Sequence, residues 1–115
     1  MINNLQTLTE IDKFRTESLL IELPVYDGDG ERRNVFDDDI SWYLFNKKAH
    51  KNSTKAILSL EDDGVELEKV DAANGEVEIR IDRDITDFSG EYWQRIVVDG
   101  PGNGRQIAVG KVNIY

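Results

Sequence analysis

Apolar and polar positions alternate along much of the chain, most clearly between residues 74 and 98. Val77, Ile79 and Ile81 are separated by charged residues, which is the period-2 pattern of a strand with one buried face. An Asn-Gly pair precedes this strand and is typical of a hairpin turn, because both residues tolerate positive φ angles. A polar crossing then leads into residues 91–98, which are rich in the aromatic and β-branched residues that suit a strand.

The same reasoning predicts six further strands, separated by turn-forming residues. They cover residues 7–14, 18–25, 40–45, 55–60, 65–68 and 107–114. A helix stays an alternative for the first of them, since apolar residues from Leu5 to Phe14 also fall near helical spacing. Gly110 in the last strand is a predicted β-bulge. The pattern therefore predicts an all-β fold, an antiparallel β-sandwich of seven to eight strands, as one domain over residues 7–115 behind a mobile N-terminal arm of residues 1–6.

Composition narrows the classes of partner. The 115 residues carry a formal charge of −9, from 23 acidic and 14 basic side chains, and contain no cysteine. Disulfides and thiolate chemistry are excluded, and the acidic excess argues against binding to nucleic acid or to anionic membranes. No run of residues resembles a signal peptide or approaches the roughly 20 apolar residues of a membrane span. We therefore expect neither nucleic acid nor a membrane as a partner.

The stretch Asp27-Gly28-Asp29-Gly30-Glu31 resembles the start of an oxygen-ligand loop for a hard cation such as Ca²⁺. The carboxylates of residues 37–39 could complete such a cage. The spacing fails the helix-loop-helix calcium motif, however, because Asp38 stands where a bidentate glutamate is needed. Glycine and aspartate are also the residues that turns require. The sequence therefore favours an ordinary loop, and it predicts no metal and no other cofactor.

The sequence contains no strong indication of a catalytic residue. His50 lies among lysines without an orienting carboxylate, and the pairs Asp62/Asp63 and Asp82/Asp84 are typical of strand ends in an acidic protein. We therefore expect no enzymatic activity.

One basic cluster follows the aromatic strand, and it comprises Lys47, Lys48, Lys51 and Lys55. A solvated loop is the simplest interpretation. Contact with an acidic face of another copy ranks above binding to nucleic acid.

A surface rich in aromatic residues is the strongest functional feature. If Trp42 and Tyr92 point into the core, alternation directs their neighbours to the other face of the sheet. Those neighbours are Tyr43, Phe45, Trp93 and Val97. Patches rich in Trp and Tyr mark interaction sites, so we predict an interface here. The alternative, equally open, is that the N-terminal arm or the loop over residues 47–53 covers these side chains.

Several short motifs carry a resemblance to a known family. They are Asp27-Gly28-Asp29-Gly30, Ile40-Ser41-Trp42-Tyr43-Leu44, Gly75-Glu76-Val77-Glu78-Ile79, Asp84-Ile85-Thr86, Gly90-Glu91-Tyr92 and Gly110-Lys111-Val112-Asn113-Ile114. Together they resemble the immunoglobulin-like domain of tailed-phage virion proteins, of which the N-terminal domain of the baseplate upper protein family is an example. Gly90-Glu91-Tyr92 also suits a tyrosine corner, in which the hydroxyl bonds back to the preceding crossing. The disulfide of antibody domains has no counterpart.

The resemblance implies a structural protein of a tailed virus, at the tail, baseplate, fibre attachment or capsid surface. Such a protein would be assembled in the host cytoplasm and act through contacts with other virion proteins and with copies of itself. An alternative is a carbohydrate-binding module in which Trp42, Tyr43 or Trp93 stacks on a sugar, with a host-surface glycan as its ligand. A calcium-dependent adhesion domain ranks third.

Overall fold

The computed structural model describes residues 5–8, 10–13, 19–27, 30–46, 56–82, 89–101 and 104–115. The strands within these residues are β1 Leu5–Thr7, β2 Ile11–Lys13, β3 Leu19–Pro24, β4 Asp39–Phe45, β5 Leu58–Ser59, β6 Val65–Asp71, β7 Glu76–Ile81, β8 Gly90–Gly100 and β9 Gly104–Ile114. One turn of 3₁₀ helix, Ala72–Asn74, joins β6 to β7. Since β1 and β2 pair with the same strand, they form one interrupted strand, and the described residues then hold eight.

Two sheets pack face to face. In the six-stranded sheet, β1 and β2 pair with β9, and the order continues through β8 and β4 to β5. The three-stranded sheet has the order β3, β7, β6. The strands are therefore distributed between the two sheets as in an immunoglobulin-like sandwich, with β4, β8 and β9 on one side and β3, β7 and β6 on the other. The prediction of an all-β immunoglobulin-like sandwich is confirmed.

The N-terminal segment is a strand rather than a helix, but its direction differs from expectation. β1 and β2 run parallel to β9, with Leu5 opposite Ile107 and Ile11 opposite Val112. Apolar alternation reveals a buried face and carries no information on strand direction, so the sequence could not show this. Of the predicted arm, residues 1–4 lie outside the described residues, whereas residues 5 and 6 belong to β1.

The prediction of a bulge at Gly110 is wrong. The register of β8 against β9 runs without a shift, and Gly110 lies opposite Gln94. A Cβ atom on Gly110 would stand 2.6 Å from the Cβ of Leu8. Leu8 packs against the core and donates its amide hydrogen to the carbonyl of Val109 at 2.8 Å. The glycine is needed because this part of the N-terminal segment crosses β9 closely.

A hydrogen bond between two buried side chains lies in the core between the sheets. Trp42 is 0% exposed, and its Nε1 donates to Oε1 of Gln94 at 2.9 Å. Gln94 stands two residues after Tyr92, where antibody domains carry the second cysteine of the inter-sheet disulfide. The Tyr92 hydroxyl donates to the carbonyl of Ser89 at 2.8 Å, as expected for a tyrosine corner, and burial raises the pKa of Tyr92. At the position of that cysteine, Gln94 therefore bonds to the neighbouring strand β4 of its own sheet, and the contact between the two sheets is made by the packed apolar core.

The loop between β3 and β4 is held against the β6–β7 hairpin by backbone hydrogen bonds. The amide of Val25 donates to the carbonyl of Gly75 at 2.8 Å, and the amide of Val35 donates to the carbonyl of Ala72 at 2.8 Å. Gly75 has a φ of 67°, and a Cβ atom there would lie 2.6 Å from the carbonyl oxygens of both Arg33 and Val25. This hairpin glycine is required both by its conformation and by the close approach of the loop.

Gly75→Ala is therefore expected to lower the free energy of unfolding by about 3 kcal/mol or more, measured by urea denaturation. Gly30→Ala is the matched control, since Gly30 also has a positive φ, 82°, but nothing lies within 4 Å of the Cβ position. The control should lose only about 1 kcal/mol. Equal losses in the two variants would contradict the close approach at Gly75.

Candidate functional site

The outer face of the six-stranded sheet is set by alternation along β8. The inward residues of this strand are buried, and they are Tyr92, Gln94, Ile96 and Val98. Trp93, Arg95 and Val97 consequently point outward and are partly exposed. The register places Phe45 opposite Trp93, Tyr43 opposite Arg95, and Ser41 opposite Val97. The outward residues of β4 and β8 thus form one continuous surface, which we call the outer face.

A stacked cluster lies in the middle of the outer face. The guanidinium carbon of Arg95 is 4.7 Å from the centroid of the Tyr43 ring and 5.2 Å from that of the Phe45 ring. The two rings are 6.3 Å apart and tilted by 36°. Both guanidinium distances fall within cation–π range. Burial lowers the pKa of Arg95, although arginine stays protonated at neutral pH. The cluster therefore presents a partly desolvated positive charge held by two aromatic rings.

One end of the outer face is closed by an ion pair. Lys111 lies opposite Trp93 in the register, and its Nζ contacts Oε1 of Glu91 at 2.9 Å. The hydrogen bond to Glu91 raises the pKa of Lys111. Two partly exposed apolar residues of β9, Ile107 and Val109, continue the face on the far side of β8.

The other end of the outer face carries charges around a shallow depression. Asp39 lies opposite Asp99, and Asp99 lies opposite Arg105, so the three form one row across the sheet. The depression measures about 260 Å³ and is lined by Asp39, Ser41, Tyr43, Arg95, Val97, Asp99 and Arg105. Both aspartates are exposed. This end of the face is polar, whereas the middle is aromatic and apolar.

The structure brings the four predicted interface residues together on one face. Tyr43, Trp93 and Val97 are partly exposed, but Phe45 is 0% exposed and contributes packing beneath the surface. Sequence reasoning missed Arg95, which alternation alone would have placed between Trp93 and Val97. Whether the interface exists stays a prediction.

The loop that resembles a cation site and is interpreted as an ordinary loop is held by hydrogen bonds among its own residues and to the β8–β9 hairpin. Asp38 is buried, and its Oδ2 accepts a hydrogen bond from Nε of Arg33 at 2.8 Å, with the Arg33 side chain 0% exposed. Arg33 also donates to Oε1 of Gln106 at 3.1 Å and to the carbonyl of Gly104 at 2.7 Å. Arg33 thus ties this loop to the β8–β9 hairpin, and Asp38 neutralises and holds Arg33. Asp27 accepts a hydrogen bond from the amide of Glu31 through Oδ1, at 3.1 Å, as in an ordinary turn.

The remaining candidate residues are only partly within the described part of the chain. Asp62 accepts a hydrogen bond from the amide of Ser59 at 2.8 Å, so it serves the turn, and Asp63 and Asp82 are exposed. Asp84, His50 and the four lysines of residues 47–55 lie outside the described residues, as does Asp29. Where the chain is described, no three His, Cys, Asp or Glu side chains are grouped so that they could hold a metal ion. Over the same residues, no helix is long and apolar enough to cross a membrane.

The outward side of the three-stranded sheet contrasts with the outer face because it is strongly acidic. Its glutamates are Glu22, Glu66, Glu68, Glu76 and Glu78. Arg80 lies 3.8 Å from Glu68 and 3.9 Å from Glu78, and the Arg80 side chain is 56% exposed, so both pairs are weak. The partly exposed Tyr43 and Trp93, which are of types enriched in interfaces, lie on the opposite sheet.

No protein-family model matches the chain, and no curated protein matches it. Among solved structures, it is similar to the second immunoglobulin domain of the mouse polymeric immunoglobulin receptor, with a TM-score of 0.48 and 13% identity over 96% of each chain. The NK cell receptor NKp44 gives a TM-score of 0.45 and 10% identity over 98% of this chain and 100% of that one. The first immunoglobulin domain of RIG-5, solved as a homodimer, gives a TM-score of 0.44 and 8% identity over 93% of this chain and 90% of that one. These scores are too low to carry an argument, so the fold assignment rests on the strand order.

The Arg33–Asp38 pair generates a prediction on stability. Arg33→Met should lower the free energy of unfolding by about 3 kcal/mol, because it leaves the Asp38 carboxylate buried without its cation. The double variant Arg33→Met/Asp38→Leu should lose less than the single variant, since both charges are then gone. Urea denaturation of Arg33→Met, of Asp38→Leu and of the double variant measures this coupling. Strictly additive losses would contradict the pairing.

Proposed function

We propose that the chain is a structural module of a tailed-virus particle, which acts through protein–protein contacts in multiple copies and has no catalytic role. In this proposal the contact surface is the outer face of the six-stranded sheet. Its partners are copies of the chain itself and other virion proteins. The particle is assembled in the host cytoplasm.

The observation that carries the contact surface is the cluster of Tyr43, Phe45 and Arg95 with Trp93 beside it. Tryptophan, tyrosine and arginine are the residues that most often dominate binding energy at interfaces, particularly where they are already partly desolvated. Tyr43 and Arg95 hold each other in place through the stack at 4.7 Å. Their side chains would therefore lose little conformational entropy on binding.

The assignment to a virion is supported by the resemblance of the motifs between residues 27 and 114 to the immunoglobulin-like domains of tailed-phage virion proteins. The strand order agrees with the fold that the resemblance implies. A sandwich whose aromatic and acidic faces lie on opposite sheets also suits a module packed between unlike neighbours.

The contact surface is tested by light scattering across a concentration series. The mass of the wild-type protein should rise with concentration from the 13.1 kDa of one chain towards twice that value. Trp93→Ser should weaken association at least about tenfold, because it removes a large apolar contact at the edge of the stacked cluster.

Val70→Ser is the matched control, since Val70 is 49% exposed and lies on β6 of the other sheet. It should associate like the wild type. If Val70→Ser weakens association as strongly as Trp93→Ser does, the outer face is not the contact surface. The virion assignment is tested separately, by searching for peptides of the chain in purified particles of the virus that encodes it, and their absence would contradict it.

A carbohydrate-binding role is the second candidate, favoured by the depression beside Tyr43. A sugar site needs an aromatic ring next to polar side chains, and here Asp39, Asp99 and Arg105 lie around such a ring. Trp42 cannot take part, because it is 0% exposed and bonded to Gln94 in the core. Tyr43 and Trp93 remain as stacking residues.

This candidate predicts specific hits on a glycan array that disappear in Tyr43→Ala, because Tyr43 lines the depression, and that weaken in Trp93→Ala if the glycan extends along the face. The charged end should matter as well, so Asp99→Ala should reduce the same signals. An array without hits for the wild-type protein, at concentrations where circular dichroism shows it to be folded and light scattering shows it to be unaggregated, would dismiss the candidate.

A further inference from the structure

The charges of the outer face are ordered so that the face of one copy is complementary in charge to the same face of a second copy. Along β8, Arg95 and Asp99 both point outward and lie two residues on either side of Val97. Val97 is partly exposed, and in the register it is flanked by Ser41 and Ile107, neither of which is charged. A positive charge and a negative charge are therefore placed symmetrically about an uncharged row.

Two copies of such a face can pack about a two-fold axis, because an isologous interface brings one surface patch against itself. With the axis parallel to the sheets and crossing β8 at Val97, the two β8 strands run antiparallel over each other. A residue two positions before Val97 then lies over the partner residue two positions after Val97. Arg95 consequently lies over the partner's Asp99, and Tyr43 lies over the partner's Asp39.

The dimensions allow the ion pair. Successive outward residues on a strand are about 6.8 Å apart, and packed sheets are separated by about 10 Å. Aligned sheets are rotated by about 30° to one another, which displaces a position 6.8 Å from the axis sideways by roughly 3–4 Å. An arginine side chain can span that offset, and the depression next to Val97 leaves space for the partner's side chains.

Other positions of the axis are less favourable. An axis at Arg95 would bring two arginines together, and like charges in contact oppose association. An axis at Trp93 would place Arg95 over the partner's Glu91, but Glu91 already contacts Lys111 at 2.9 Å. That axis would also bring Lys111 to the centre of the interface. The row of Val97 is the position at which charges are complementary and the centre is uncharged.

We propose that the chain forms a two-fold dimer through its outer face, centred on Val97, in which Arg95 of each copy pairs with Asp99 of the other. This inference rests on the proposed function, because it names the partner and the register for the same contact surface. The acidic outward side of the three-stranded sheet remains uncovered in this dimer and free for a different partner.

Charge reversal tests the pairing. Asp99→Arg alone should raise the dimer dissociation constant by at least about 30-fold, since two arginines then face each other at each end, and Arg95→Glu alone should do the same. An equimolar mixture of the two variants should dimerise within about threefold of the wild type, because both pairs in the mixed dimer are again of opposite sign. Sedimentation equilibrium of each variant and of the mixture measures this, with circular dichroism confirming that each is folded.

Controls separate this inference from the proposed function. Asp63→Arg, in an exposed turn, should leave the dimer unchanged. Arg80→Glu and Glu66→Arg change charges on the three-stranded sheet, and these variants, alone or mixed, should dimerise as the wild type does. If Arg95→Glu is not folded, the comparison of Asp99→Arg with Asp63→Arg decides alone. The register is overturned if Trp93→Ser weakens the dimer but the mixture of Asp99→Arg with Arg95→Glu does not restore it. It is also overturned if Glu91→Arg, mixed with Arg95→Glu, restores the dimer instead. Either result leaves the outer face as the contact surface. A wild-type chain that is monomeric at every concentration overturns the dimer, and the search of purified particles then tests the proposed function on its own.

Discussion

The alternation of side chains along β8 is the constraint on which the rest of the structure depends. This strand lies between β4 and β9, and one residue in two must enter the core. The inward set includes Gln94, which bonds to Trp42, and Tyr92, which closes the corner at Ser89. A shift of one residue would bring Arg95 into the core and Gln94 to the surface, so the register is strongly specified. The outer face is therefore a consequence of how the core is built.

Several non-covalent contacts together stabilise this immunoglobulin-like sandwich, which has no disulfide. Side-chain hydrogen bonds join residues far apart in the chain. Trp42 bonds to Gln94 within the six-stranded sheet, and Arg33 of the loop between β3 and β4 bonds to Gln106 of that sheet. Arg33 also neutralises Asp38, so the loop between β3 and β4 is anchored by a buried ion pair next to the β8–β9 hairpin. Each contact is of ordinary strength, and none replaces a covalent bond alone. The loop end and the outer face are held by different interactions, the Arg33–Asp38 pair at the loop and the stack of Arg95 on Tyr43 and Phe45 on the face.

Much of the fold could be predicted from sequence because the strands of a two-layer sandwich alternate cleanly. The inward orientation of Trp42 and Tyr92 and the outward orientation of Trp93 and Val97 followed from that period. Strand direction did not, since a parallel and an antiparallel strand can bury the same face, as β1 and β2 show. The role of Gly110 was also missed, because its reason is the passage of Leu8 across β9.

Charged residues were the least predictable part of the candidate site. Asp38 stands in a run of three aspartates, and no local pattern distinguishes the one that is buried against Arg33. Arg95 could have been placed on the outer face by alternation, but its stack on two rings depends on the pairing of β4 with β8. Phe45 shows the limit of counting alternate residues, because it points outward and is nevertheless 0% exposed.

The central claim is that Trp93 lies on a surface that becomes covered when copies of the chain associate, whereas Trp42 lies in the core. The chain contains two tryptophans, so incorporation of 5-fluorotryptophan gives two ¹⁹F resonances. The account predicts that a paramagnetic agent in the solvent broadens only the Trp93 resonance at low concentration, and that this broadening diminishes as the protein concentration rises. Two resonances that are equally protected at low concentration, or a Trp93 resonance that stays equally accessible at every concentration, would contradict it.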